Sequence, residues 1–266
     1  MTTKIAVSGA SGRMGQAIIR QAQADQDISV RTALENSASS SLGQDAGTIA
    51  GLAPIGVEIV SDLAPGGFDV LVEFTTPAAT MAHLTWCLEN GCAMMIGTTG
   101  MSDGEREAVR AAGDRIPVVL AANTSVGVNL CVALLETAAR VIGSSSDVEV
   151  IESHHRNKVD APSGTALLLG ETVARTLGKD LSADGVFSRE GITGARMPGS
   201  IGFSTIRGGD IAGEHTVMFI GDSERVEITH RASDRRIFAS GALRAVKWLA
   251  GQPPGFYDMR DVLGLH

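Results

Sequence analysis

The chain begins with short apolar runs set between longer stretches of helical period. Lys4–Gly9, "KIAVSG", is a nearly unbroken apolar run. "MGQAIIRQAQAD" follows it, with apolar positions at helical spacing. Further runs rich in Val, Ile, Leu and Met lie in "ISVRTALE", "FDVLVEFT", "AMMIGTT" and "IPVVLAAN". The stretches "PAATMAHLTWCLENG" and "SDGEREAVRAAG" between the later runs have helical period. Strands that are apolar at every position are buried on both faces, which indicates a parallel sheet covered by helices. Right-handed crossovers then wind it into an α/β, Rossmann-like doubly wound sheet. Residues 37–56, "SASSSLGQDAGTIAGLAPIG", are small, polar and Gly-rich, and read as a loop with little regular structure.

The pattern changes near Asn123. "VGVNLCVALLETAARVIG" is a long amphipathic helix, "DVEVIESHH" alternates as a strand, and "SGTALLLGETVARTLG" is again helical. "IGFSTIRGG", "EHTVMFIGD" and "RVEITHRAS" are extended segments rich in Thr, Val, Ile and Phe. They predict a smaller α+β domain with a mixed sheet. The last helix, "IFASGALRAVKWLAGQ", has an apolar face suited to packing back on the first domain. The expected division is residues 1–125 with 236–266 as a dinucleotide-binding domain, and 126–235 as a substrate-binding and oligomerisation domain.

Composition narrows the function. The 266 residues are 44% hydrophobic and 20% charged, an ordinary balance for a soluble chain with a real core. A net charge of −8 argues against a nucleic-acid surface, which needs a basic face. Cys87, Cys92 and Cys131 show no CxxC spacing and read as reduced, buried thiols. The N-terminal apolar run is too short for a signal peptide, and no stretch holds ~18 uninterrupted apolar residues. A cytoplasmic protein with no membrane partner is expected. The 32 glycines exceed what turns alone need and suggest close backbone approach to a ligand.

One such approach is "IAVSGASGRMGQAI", where Gly9, Gly12 and Gly15 lie between a strand and a helix. Gly9 suits the tight turn, Gly12 admits a pyrophosphate, and Gly15 lets the helix pack close. The helix start offers N–H groups and a positive dipole end, to which Arg13 adds charge. Glu35 closes the second strand ~20 residues further on, where a carboxylate accepts hydrogen bonds from ribose hydroxyls. A 2′-phosphate there would need a cation, and neither Arg31 nor Asn36 is an obvious clamp, so NADH is expected over NADPH. "EFTTP" (Glu73–Pro77), "IGTTG" (Ile96–Gly100) and "AANTS" (Ala121–Ser125) end later strands, where such folds line their ligand crevice.

A second concentration of chemistry is "ESHHRNKVDAPSGTA", Glu152–Ala166. His154, His155, Arg156 and Lys158 crowd into five residues of an acidic chain. A helix start follows, with Ser163 or Thr165 near the N-cap. The opening N–H groups at Ser163, Gly164 and Thr165, unused by the helix itself, form an anion seat. Together with the cations they suit a carboxylate substrate. Hydride reduction leaves a proton to be supplied. His154 or His155 can titrate near neutrality, and Lys158 is a donor whose pKa falls if cations crowd it. Alternating strand residues face opposite ways, so the two histidines are equal partners only if the strand has ended between them. No metal site is indicated, since the histidine pair lacks a further ligand at suitable spacing.

Those motifs, with "GFSTIRGGDIAGEHTVMF" and "FYDMRDVLGL", resemble the 4-hydroxy-tetrahydrodipicolinate (dihydrodipicolinate) reductases of lysine and diaminopimelate synthesis, over essentially the whole length. The resemblance implies a homotetramer that reduces a small cyclic dicarboxylate with NADH or NADPH. It implies His154 as proton donor or acceptor and Lys158 as proton donor. His155, Lys158, Ser163, Gly164 and Thr165 would bind the substrate carboxylate. Gly9, Ala10, Ser11, Gly12, Arg13, Met14, Glu35, Gly97, Thr98, Thr99, Ala121, Ala122, Asn123 and Thr124 would hold the cofactor. Many relatives carry a basic residue after the acid, where this chain has Asn36, and often an aromatic where Thr124 stands.

Overall fold

A computed structural model describes residues 2–265 and divides them into two compact units. The first runs to Val126 and resumes at Arg236; the second is Gly127–Arg235.

The first unit begins with β1 (Thr3–Ser8), α1 (Arg13–Gln23), β2 (Ile28–Leu34), α2 (Ala46–Ile49), β3 (Ile59–Val60), β4 (Val70–Glu73), α3 (Pro77–Asn90), β5 (Ala93–Ile96), α4 (Asp103–Ala112) and β6 (Pro117–Leu120). The chain then builds the second unit from α5 (Val126–Ile142), β7 (Asp147–His154), α6 (Gly164–Thr176), α7 (Leu181–Asp184), β8 (Gly185–Val186), β9 (Ile201–Arg207), β10 (Gly213–Ile220) and β11 (Arg225–Ala232). It returns to the first unit with α8 (Arg236–Leu249), β12 (Gly255–Tyr257) and α9 (Met259–Leu263).

Seven parallel strands form the first sheet in the order β12-β6-β5-β4-β1-β2-β3. The order reverses between β1 and β4, the switch point where doubly wound sheets bind ligands. Ile5, Val7, Val70, Val72 and Met95 are fully buried on one side of it, with Ile18 and Ile19 of α1 and Val246 and Leu249 of α8. Ala6, Leu71, Met94, Ile96 and Val118 fill the other side. Continuous apolar strands are what burial on both faces requires.

Residues 37–56 depart from the expected plain loop. They contain the single-turn helix α2, and β3 follows them to pair with β2. One side chain organises the segment. Asp45 caps α2 through the Thr48 N–H and also accepts the N–H groups of Ile55, Gly56 and Val57. The small polar residues carry no periodic signal, so only the tertiary hydrogen bonding shows the order.

The second unit is a five-stranded mixed sheet, β11-β10-β7-β9-β8, antiparallel at β10–β11 and β10–β7 and parallel at β7–β9 and β9–β8. Val148 and Val150 on β7, Phe203 on β9, and Val217 and Phe219 on β10 pack with α5 and α6. With the turn after it, α5 (Val126–Ser145) is long and apolar enough to cross a membrane by length and composition alone. Within this unit it buries Cys131, Leu135 and Ala139 in the core.

Candidate active site

The first unit gathers the glycine motif and its partners at the strand ends. Gly9 follows β1 with φ +68°, the left-handed region. A Cβ on Gly15 would lie 2.1 Å from the Gly9 carbonyl oxygen, so α1 passes over the loop only because residue 15 lacks a side chain. Gly12 is the N-cap of α1 and brings no side chain to it; Gly12 and Arg13 are exposed at its positive end. Ala10 and Met14 point the other way and pack in the core.

Glu35 lies directly beyond β2. Its Oε1 accepts the Ser11 N–H at 2.9 Å and the Ser11 hydroxyl at 2.6 Å, while Asn36 N–H reaches Oε2 at 3.2 Å. The carboxylate thus lies against the glycine loop, and among the described residues no Lys or Arg pairs with it. The cradle that a Cβ would fill, the exposed helix start and the acceptor beside it fit a dinucleotide.

The neighbouring strand ends hold one another by a buried polar network. Glu73, fully buried, accepts from the Thr75 hydroxyl and pairs with His83 Nδ1 at 2.5 Å. Thr98 Oγ1 accepts from the Thr75 N–H at 3.2 Å and from the Thr80 hydroxyl at 2.8 Å. A Cβ on Gly97 would run into the Phe74 ring. Thr124 donates its hydroxyl to the Phe238 carbonyl at 2.7 Å, and Gly241 of α8 closes over its backbone. The Thr98 and Thr124 side chains therefore brace the crevice walls. Thr99 and Ala122 are exposed, Asn123 is half-buried and Ala121 buried.

In the second unit, β7 alternates so that Val148, Val150, Glu152 and His154 share the buried face. The strand ends at His154, and His155 begins the loop, half-buried, with its N–H on the Ile211 carbonyl. The two histidines have different surroundings. His154 Nδ1 lies 2.6 Å from Glu152 Oε2, and its ring meets His215 edge-on at 5.1 Å. A Cβ on Gly213 would stand 3.0 Å from His154 Nε2, so glycine keeps space at that nitrogen. His155 Nε2 is 3.4 Å from an Arg235 guanidinium nitrogen.

Glu152 was not evident as a functional residue from spacing, and it is the hub here. Arg207 grips it with both terminal nitrogens at 2.7 Å, and the Ser163 N–H reaches it at 3.0 Å. Burial works to raise the Glu152 carboxyl, but Arg207, His154 and the Ser163 N–H outweigh it and hold it below the usual carboxylate range. Burial pushes His154 down, with Glu152 opposing. His215 was also missed. Burial drives it down to about 4, so it is neutral near pH 7, and its Nε2 lies 2.9 Å from the Ser163 hydroxyl oxygen. The overlooked signal was a charged residue and a histidine at core-facing positions of alternating strands.

Two expectations are corrected. The Ser163 N–H does not seat the anion, because the Glu152 carboxylate takes it, and the Ser163 hydroxyl caps α6 through the Ala166 N–H. Gly164 is exposed, with open space where a Cβ would sit; Thr165 is half-buried beside it. Lys158 is not surrounded by cations alone. Its ammonium contacts both Asp160 oxygens at 2.8 Å and holds that carboxyl below its usual range.

Comparison with known proteins agrees with both halves. Among solved structures, dipicolinate-bound dihydrodipicolinate reductase from Paenisporosarcina sp. TG-14 is 23% identical over 97% of this chain and 98% of that one, with a TM-score of 0.77. Amine dehydrogenase from Mycobacterium smegmatis is 16% identical over 96% and 94%, at 0.63. A myo-inositol dehydrogenase from Corynebacterium glutamicum is 16% identical over 100% and 94%, at 0.56. These likenesses establish the two-domain fold. Family models are more specific: that for the N-terminus of dihydrodipicolinate reductase matches residues 3–124, and that for its C-terminus matches 127–263. With a dinucleotide cradle in one unit and a histidine–carboxylate site in the other, the chain belongs to the dihydrodipicolinate reductase family, NAD(P)H-dependent oxidoreductases of lysine biosynthesis that act on a small dicarboxylate.

Proposed function

We propose that this reductase prefers NADH and that His154 supplies the proton that completes reduction of the dihydrodipicolinate ring. The observation that carries the proton assignment is the 2.6 Å contact between His154 Nδ1 and the buried Glu152 carboxylate. A histidine that donates from Nδ1 presents Nε2 for proton exchange. The nicotinamide, when bound, supplies the hydride. Lys158 and His155 attract the substrate carboxylates, and the opening turn of α6 at Gly164 and Thr165 receives one of them. Lys158 must exchange Asp160 for the substrate to do so, and as a proton donor it shares with His154 the delivery of that one proton. The glycine loop, Glu35 and the exposed ends near Thr99 and Ala122 hold the cofactor.

Replacing His154 and His155 separately by Gln tests the split. Loss of a positioned acid reduces kcat by about 10²–10⁴-fold, expected for His154→Gln. His155→Gln is expected to raise KM for the dicarboxylate. The reverse result sinks the assignment. The NADH preference rests on Glu35 facing Ser11 and Asn36 without a cationic partner among the described residues. Higher kcat/KM with NADPH than with NADH would refute it.

Residues 1–125 with 236–266 are proposed as the dinucleotide-binding domain, and 126–235 as the substrate-binding and oligomerisation domain, in a cytoplasmic homotetramer. The sheet face of the second unit turned away from α5 and α6, where Ile206 is exposed, is the surface that supports self-association. Sedimentation of the purified protein checks it: a monomer at micromolar concentration rules the tetramer out.

A further inference from the structure

Glu152 lies outside the residues assigned to proton transfer and to substrate or cofactor binding, yet it is the most heavily contacted buried carboxylate of the second unit. Only 1% of its side chain is exposed. Its two oxygens receive the Arg207 fork, His154 Nδ1, the Ser163 N–H and, at 3.4 Å, the Thr205 hydroxyl. A buried carboxylate is tolerated only when so paired. Arg207 also donates to the Asp160 carbonyl at 2.7 Å. One charge pair thereby ties together the end of β7, the loop that carries Lys158, and the start of α6.

Resting on the reading of His154 as the proton donor, we propose that Glu152, clamped by Arg207, is a positioning residue for the reduction. It fixes His154 in the tautomer with hydrogen on Nδ1, so that Nε2 is the atom that delivers the proton, and it anchors the helix start that faces the substrate. The groups around His154 make this carboxylate decisive. They are Glu152 on β7, Arg207 on β9, His215 on β10, and Lys158, itself paired with Asp160, on the loop. Among them Glu152 is the anion in direct contact with the ring. Without its charge, Arg207 and Lys158 would disfavour the protonated imidazole. The limb of the kcat profile that falls as pH rises would then move to lower pH.

The test uses the full-length enzyme. In wild-type protein labelled with ¹⁵N-histidine, His154 is expected as the Nδ1–H tautomer when neutral; an Nε2–H tautomer overturns the proposal. Glu152→Gln is expected to lower kcat by about 10²-fold, the low end for a mispositioned acid, and to shift the falling limb to lower pH. NADH affinity, measured by fluorescence, should stay unchanged. Glu152→Asp should restore part of kcat. Adding Glu152→Gln to His154→Gln should cost no further kcat, because in proton transfer the two act as a unit, while any loss of the helix-start anchor reads out separately in KM. An unmoved limb, or losses that multiply, would show that Glu152 acts independently of His154. If Glu152→Gln does not fold, Arg207→Lys keeps the charge without the fork; it should lower kcat at unchanged NADH affinity, and full kcat would overturn the clamp. Full turnover in His154→Gln would instead remove the proton-donor reading, while the tautomer measurement still judges Glu152 separately.

Discussion

At Gly15 the cofactor site depends on a missing atom. Gly15→Ala would put a Cβ 2.1 Å from the Gly9 carbonyl oxygen, inside contact distance with backbone that cannot move aside cheaply. The loop must then open or α1 must shift, at a cost of about 1–3 kcal/mol for overpacking. NADH affinity should fall by about fivefold to 150-fold, since ~1.4 kcal/mol is a factor of ten; titration of NADH fluorescence reads it. His215 gives a second residue-level prediction. In the unfolded chain its imidazole binds a proton below about 6.5, but in the folded protein only below about 4. Between those values unfolding takes up a proton, so stability falls as pH drops through that window and this contribution levels off below it. At ~1.4 kcal/mol per pH unit the loss is at most about 3 kcal/mol. Urea denaturation at pH 7 and pH 5 should show it, and His215→Gln should flatten the difference.

The elements show where local signals succeed. Helix α4 has a capping box between Ser102 and Glu105, and α3 begins with Thr76 as N-cap and Pro77 and ends at Gly91 in the left-handed region. Both are readable from residue order, because a cap needs only neighbours three positions away. The 37–58 segment is different. Asp45 must find Ile55, Gly56 and Val57 after a reversal of the chain. Asp45→Ala should leave α1 and β1 intact and speed amide exchange at Thr48 and residues 55–57; unchanged protection there would show that the loop is held by other contacts. The start of α6 combines both kinds of signal. Ser163 as its cap is legible locally, but its bonds to Glu152 and His215 join residues 11 and 52 positions away. Ser163→Ala should cost about 1 kcal/mol as a lost cap and also raise KM for the dicarboxylate, since the same turn is the one proposed to receive a substrate carboxylate.

At the level of the whole molecule, the first unit needs the chain's last segment. Leu249 of α8 is fully buried in the first unit's core. Leu249→Ala should destabilise that unit by about 2–5 kcal/mol and weaken NADH binding on warming, read by thermal unfolding with and without NADH. The sequence by itself determined the class of fold: runs apolar at every position, alternating with helical period, leave a parallel sheet covered on both faces as the way to bury them. It also made the glycine loop and the basic stretch at 154–158 legible, because each is a contiguous motif, and it marked Glu35 by its place at the end of the second strand. The tertiary structure alone decided how those residues are used. It brought Arg207 and His215, distant in sequence, onto Glu152 and Ser163, and turned Thr98 and Thr124 into wall braces. The physical reason is that a polar group's role is set by which partners compensate its burial, and strands such as β7, β9 and β10 acquire those partners only when they pair.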